Sequence, residues 1–149
     1  MFKEVEVSDN FKDTAYRMHE SSGILFDKEQ WFNANYLAGY VCECYCKLVL
    51  GMALNSGESL SKNSVQQYRH NVGLMRDDID YIMLNGTSVM KYCLDLNNTC
   101  QNIINEWNPF DRYGSNSHKL NDKELAEKIN KEINVLAEKI LEMDVDGVI

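Results

Sequence analysis

Glu43 and Lys47 stand one helical turn apart inside the run ANYLAGYVCECYCK, which begins at Ala34 and continues apolar to Leu50. An acid and a base among apolar neighbours need a partner or a purpose, because an unpaired charge is costly to desolvate. Asn35, Gly39, Glu43, Lys47 and Gly51 recur every four residues and trace a slowly drifting stripe along one helix, which can line a groove. Two readings are open. In one, Glu43 sits in a partly buried polar cluster and accepts from Lys47 and from Arg112. In the other, Glu43 and Lys47 form an intrahelical ion pair on a water-facing edge, contributing about 0.2–0.5 kcal/mol. Further along, His70 and Asn71 are polar residues next to a helical pattern. A histidine there either titrates near neutral pH at a site or serves as a cap or packing group.

The elements that must position these groups read as helices throughout. Ser8 or Asp9 is expected to cap a first helix with Phe11, Ala15 and Met18 on one stripe, ending at Ser21-Ser22-Gly23, with a loop through Phe26 after it. Asp27 with Gln30 predicts a capping box for the central helix, which should run to about Leu54 and stop in the loop from Asn55 to Ser59. A third helix is expected to start between Ser64 and Val72, to bury Val72, Met75, Ile79 and Ile82, and to end at Asn85-Gly86. Thr87 or Ser88 then caps a fourth, carrying Tyr92, Cys93, Leu96, Cys100, Ile103 and Ile104. Pro109 turns the corner after Trp107. Asn121 with Glu124 predicts the start of a last helix with Leu125, Ile129, Ile133, Leu136 and Ile140 on a narrow stripe, and the acidic end from Glu142 to Asp146 reads as frayed. The expected architecture is all-α, an antiparallel, up-and-down bundle of four main helices with a short fifth element.

Composition bounds the rest. A chain of 149 residues with one proline, eight glycines and 44% hydrophobic residues suits a single helical domain spanning residues 1–149. Its net charge of −8 argues against sequence-blind attraction to nucleic acid and leaves room only for a local basic site. The charged N-terminus and the interruption of the apolar helix by Glu43 and Lys47 predict neither leader nor membrane span, hence a cytoplasmic protein. Five cysteines fit the same compartment. Cys42, Cys44 and Cys46 alternate along a helix that turns about 100° per residue, so they do not converge on one zinc. The expectation is buried, reduced thiols with no metal and no cofactor. Tyr36, Tyr40, Tyr45, Tyr92 and Trp107 are candidates to stack a nucleobase, although aromatics at helical spacing more often build a core.

Taken in order, the central-helix run, the phrase RHNVGL from Arg69 to Leu74, and WNPFDRY from Trp107 to Tyr113 resemble the HEPN family. In that family of small helical bundles a helix of the form A-x-Y-L-A-G-Y-x-x-E-C-x-x-K precedes an H-x-L-type phrase and a W-x-P-x-x-R-Y corner. The likeness spans Phe32 to Tyr113. It implies a HEPN-like homodimer associated with RNA or a nucleotide in a bacterial stress or defence system of toxin–antitoxin type. Glu43, Lys47, His70, Asn71, Trp107 and Tyr113 would form its polar cluster. Ribonucleolytic members carry an arginine and, after four to six residues, a histidine, with a polar residue following the arginine. Arg112 and His118 fit that spacing, while Tyr113 stands in the polar position.

The resemblance therefore implies metal-independent RNA cleavage as one activity. His118 would move protons and Arg112 would steady phosphate charge, in a site completed across the dimer. The competing reading anchors the Trp107 corner to Glu43 through Arg112 and leaves His118 exposed to solvent. A non-catalytic adaptor paired with a nucleotidyltransferase-type protein, or a purely structural dimer, completes the set.

Overall fold

The computed structural model describes residues 10–54, 61–86 and 88–149, and all regular structure among them is helical. Helix α1 spans Phe11–Asp27. Its cap is Asn10, whose side chain accepts from the Asp13 amide, whereas Ser8 and Asp9 lie outside the described residues. The helix does not stop at Gly23. No atom stands within 4 Å of a Cβ built there, so the glycine makes no turn and costs the helix only about 0.5–1 kcal/mol. Asp27 is the last residue of α1 rather than the cap of the next helix. The chain reverses through Lys28, Glu29 and Gln30, with Glu29 at φ 59.

Helix α2 covers Trp31–Leu54, the expected C-terminal limit, and packs against α1 and two later helices, α4 (Val72–Leu84) and α7 (Lys123–Val145). It is long and apolar enough to cross a membrane by length and composition, yet 72% of that stretch is buried inside the protein. Packing explains its all-round apolarity: Val41, Cys42, Tyr45, Cys46, Val49 and Leu50 have no exposed surface. Helix α1 runs opposite to it. Ser22 near the end of α1 donates to Ala34 O at 2.8 Å, while Phe11 at its start covers Lys47. The loop expected from Asn55 to Ser59 falls outside the described residues.

The expected third helix starts at Val72, the far limit of its predicted range, and a short helix that the periodicity did not indicate precedes it. Helix α3, Lys62–Tyr68, and α4 are separated by Arg69, His70 and Asn71, with Arg69 at φ 48. Helix α4 buries Val72, Met75, Ile79 and Ile82 and ends at Asn85, with Gly86 at φ 61, as the periodicity and the turn chemistry predict.

The expected fourth helix is broken. A 3-10 turn, Met90–Tyr92, leads through extended Cys93 into the short helices α5, Leu96–Thr99, and α6, Gln101–Glu106. Two buried side chains account for the breaks. The Tyr45 hydroxyl donates to Tyr92 O at 2.6 Å and accepts from the Leu94 amide at 2.8 Å. The Glu132 carboxylate takes the Asn102 and Ile103 amides at 3.2 and 2.9 Å. These backbone groups are satisfied from outside, so the helical ladder need not continue. Thr87 lies outside the described residues.

Helix α7 is capped by Asp122, which accepts from the Leu125 amide at 2.7 Å, in place of the Asn121 and Glu124 box. Ile129, Ile133, Leu136 and Ile140 are buried as the stripe predicts, whereas Leu125 is only half-buried. Its end is tied rather than frayed: Asp144 accepts from Tyr16 at 2.9 Å and Lys12 at 3.3 Å, and Asp146 from Tyr92 at 2.7 Å and Lys91 at 2.8 Å.

Candidate functional site

Trp107 leaves the end of α6 with extended backbone, and its indole Nε1 donates to Tyr36 O on α2 at 2.8 Å. The ring lies against the backbone of Gly39, where only a residue without a side chain leaves room. Asn108 then opens a 3-10 turn, Pro109–Tyr113, in a reciprocal capping box with Asp111. This short corner holds Phe110 and Tyr113 out from the surface, 77% and 83% exposed. Tyr36 ties the corner down from below, with its hydroxyl 3.2 Å from Pro109 O and 2.8 Å from the Tyr40 hydroxyl. Burial first, and the bond to Tyr36 second, push the Tyr40 phenol above its ordinary range and keep it neutral.

Beside Tyr40, Glu43 and Lys47 are buried, 4% and 5% exposed, with Lys47 Nζ 3.3 Å from Glu43 Oε1. The cluster is therefore internal rather than water-facing. Its third member is His70, whose Nδ1 meets the same carboxylate oxygen across from the break between α3 and α4. Arg112 is not that partner. Its guanidinium lies over the Tyr113 ring, 4.9 Å from the centroid, and makes no ion pair among the described residues. The imidazole of His70 faces the Tyr40 ring edge at 6.2 Å, and Tyr40 in turn meets Trp107 at 5.1 Å. The α3–α4 turn and the Trp107 corner are thus joined through α2.

Between them is a cavity of about 420 Å³. Arg69, His70, Asn71 and Val72 form one wall, and Trp107 to Phe110 form the other. Asn71 also caps α4, accepting from the Leu74 amide at 2.9 Å. Arg69 and Phe110, both exposed and both lining the cavity, were not singled out by sequence reasoning. Arg69 adjoins His70 in the same phrase, so the signal was present, but nothing in residue order marks a left-handed backbone at an arginine.

No family model, curated protein or solved structure matches this chain. The site must therefore be read from its own chemistry.

Arg112 and His118 do not form a pair within one chain. No hydrogen bond or ion pair joins them among the described residues. His118 is 22% exposed, so it is not a free surface residue either. Its Nδ1 accepts from the Leu120 amide at 3.1 Å, which places the ring proton on Nε2, and Nε2 stands 3.3 Å from Asp111 Oδ1. The edge of the Phe32 ring packs on it at a centroid distance of 5.5 Å, and a Cβ at Gly114 would come within 2.9 Å of His118 Cδ2. Both ring nitrogens hold the loop that leads to α7.

The five cysteines are free thiols in buried positions. Burial, with Glu43 nearby, pushes Cys44 up to about 12. A thiol so placed behaves as a small apolar side chain.

Proposed function

We propose that this protein is a HEPN-like, RNA- or nucleotide-associated module of a bacterial stress or defence system, working in the cytoplasm as a homodimer of up-and-down helical bundles. The pocket between the α3–α4 turn and the Trp107 corner is its binding site. One observation carries this reading. Two of the three sequence segments that resemble the family, tens of residues apart, face each other across one cavity, and the third, on the central helix, joins them through Glu43 and Tyr40.

Binding without cleavage is the favoured form of this role, because both nitrogens of His118 are engaged in holding the loop and Arg112 is turned onto Tyr113. General acid or base catalysis needs a ring nitrogen within reach of the substrate. The test is incubation of purified dimer with labelled single-stranded RNA in EDTA, reading anisotropy and strand length together. Saturable binding with intact strands is expected. Cutting that Arg112→Ala and His118→Ala both abolish would replace the binding role with a ribonuclease, and absence of binding would overturn the RNA reading.

A further inference from the structure

Arg69, Asn71 and Asn108 offer hydrogen-bond donors along the walls of the cavity. Asn71 Oδ1 is taken by the Leu74 amide and Asn108 Oδ1 by the Phe110 amide, each at 2.9 Å. Their NH₂ groups have no partner among the described residues, and neither has the Arg69 guanidinium. His70 also lines the cavity, with its Nδ1 turned to Glu43. No carboxylate lines the walls. This is against the grain of a chain with 23 acidic and 15 basic residues. Glu43, the nearest buried acid, is already matched by Lys47.

The Arg69 guanidinium and two amide NH₂ groups, with no carboxylate among the lining residues, favour an anionic, acceptor-rich ligand head. The opposite wall adds apolar and aromatic surface from Trp107, Pro109 and Phe110, which suits a planar ring. A cavity of about 420 Å³ is in the range of small-molecule sites and has room for a single nucleotide.

We infer that this pocket binds one phosphate-bearing nucleotide unit, with the phosphate against Arg69, Asn71 and Asn108 and the base on Phe110. The inference rests on the function proposed above and specifies its ligand. The unit comes either from a free nucleoside monophosphate or from the phosphorylated end of an RNA strand.

The backbone at Arg69 makes a clean variant available. At φ 48 an arginine is strained and a glycine is not, so Arg69→Gly removes the cation while leaving the fold as stable as before or more so. Phe110→Ala removes a ring that is already exposed.

The experiment is titration calorimetry of the full chain with adenosine 5′-monophosphate and with adenosine. Parallel anisotropy titrations use RNA bearing a 5′-phosphate or a 5′-hydroxyl. The monophosphate is expected to bind at least about tenfold more tightly than the nucleoside, and Arg69→Gly to weaken it by about tenfold with a melting temperature no lower than that of wild type. Phe110→Ala should weaken both ligands. Equal affinity for the two ligands, or an Arg69→Gly protein that binds the monophosphate like wild type, overturns the assignment. RNA binding that neither Arg69→Gly nor the monophosphate disturbs also overturns it, while leaving the broader RNA reading standing. Monophosphate binding without RNA binding supports the pocket and removes RNA from the broader reading. Preference for the 5′-phosphorylated strand identifies the RNA end as the source, and indifference to it identifies the free nucleotide.

Discussion

The Trp107 indole fills the space that a side chain at residue 39 would occupy: a Cβ built on Gly39 would lie 2.0 Å from Trp107 Cε2. The corner is therefore seated on the backbone of the central helix, and nothing larger than hydrogen fits beneath it. Gly39→Ala is expected to lower stability by about 3 kcal/mol despite the better helix propensity of alanine, since overpacking outweighs propensity. Urea unfolding measures this. A stabilised variant would mean that the corner does not rest on α2.

Glu43 presents the opposite problem, a charge that must stay. Removing it strands Lys47, which is equally buried, and unties His70. Glu43→Ala should cost about 3–5 kcal/mol, the usual result of breaking a buried pair. Replacing both members, as in Glu43→Leu with Lys47→Met, should recover most of that loss, because no unmatched charge remains. Thermal melts of the single and double variants decide it. Additive losses would contradict a coupled pair.

How much of this was legible beforehand depended on whether the controlling partner was near in sequence. The faces of α4 and α7, the end of α2 and the Asn85-Gly86 stop follow from periodicity and turn chemistry within a few residues. The break of the expected fourth helix was not legible. Tyr45 and Glu132, which cause it, are 47 and 30 residues away from the carbonyl and amide they bind. Cap positions slipped for a simpler reason, since Asn10 and Asp122 compete with adjacent residues of equal capping strength. At the site, the burial of Glu43 with Lys47 could be suspected from their apolar neighbours. The identity of the third partner, His70 rather than Arg112, required the fold.

The end of α7 should make stability depend on pH at both extremes. Asp144 and Asp146 are held below their ordinary value of 3.8, chiefly by bonds from Tyr16 and Lys91 respectively. A depressed carboxyl stabilises fully above its ordinary value and loses that contribution as pH falls through its lower folded value. Tyr16 moves the other way, from 10.0 to about 12, by burial first and then by Asp144. Its share is present below 10.0 and is lost as pH rises toward about 12. Lys91, raised by Asp146, behaves likewise on the alkaline side. The melting temperature is expected to plateau between about pH 5 and 9. In Asp144→Asn with Asp146→Asn the plateau should be lower and both limbs shallower. Limbs unchanged in that variant would show that other groups control the titration.

His118 provides a test that separates structure from catalysis. His118→Ala leaves the Leu120 amide without its acceptor and should cost about 1–2 kcal/mol. His118→Asn, whose side-chain oxygen can replace Nδ1, should recover much of this. Affinity for RNA should stay within about twofold of wild type in both, which is less than about 0.5 kcal/mol. Loss of an RNA-cutting activity in the alanine and asparagine variants alike would assign the imidazole a chemical role.

In the proposed role, the α3–α4 turn and the Trp107 corner, joined through α2, make one binding site. The most direct measurement is amide chemical-shift mapping of the labelled protein during titration with a short single-stranded oligoribonucleotide carrying a 5′-phosphate. Saturating shifts are expected at Gly39 and Tyr40, from Arg69 to Gly73, and from Trp107 to Tyr113, all with one affinity, while the outer face of α7 stays still. Shifts confined to α7 or to one of the three segments, or no shifts at saturating ligand, would contradict it.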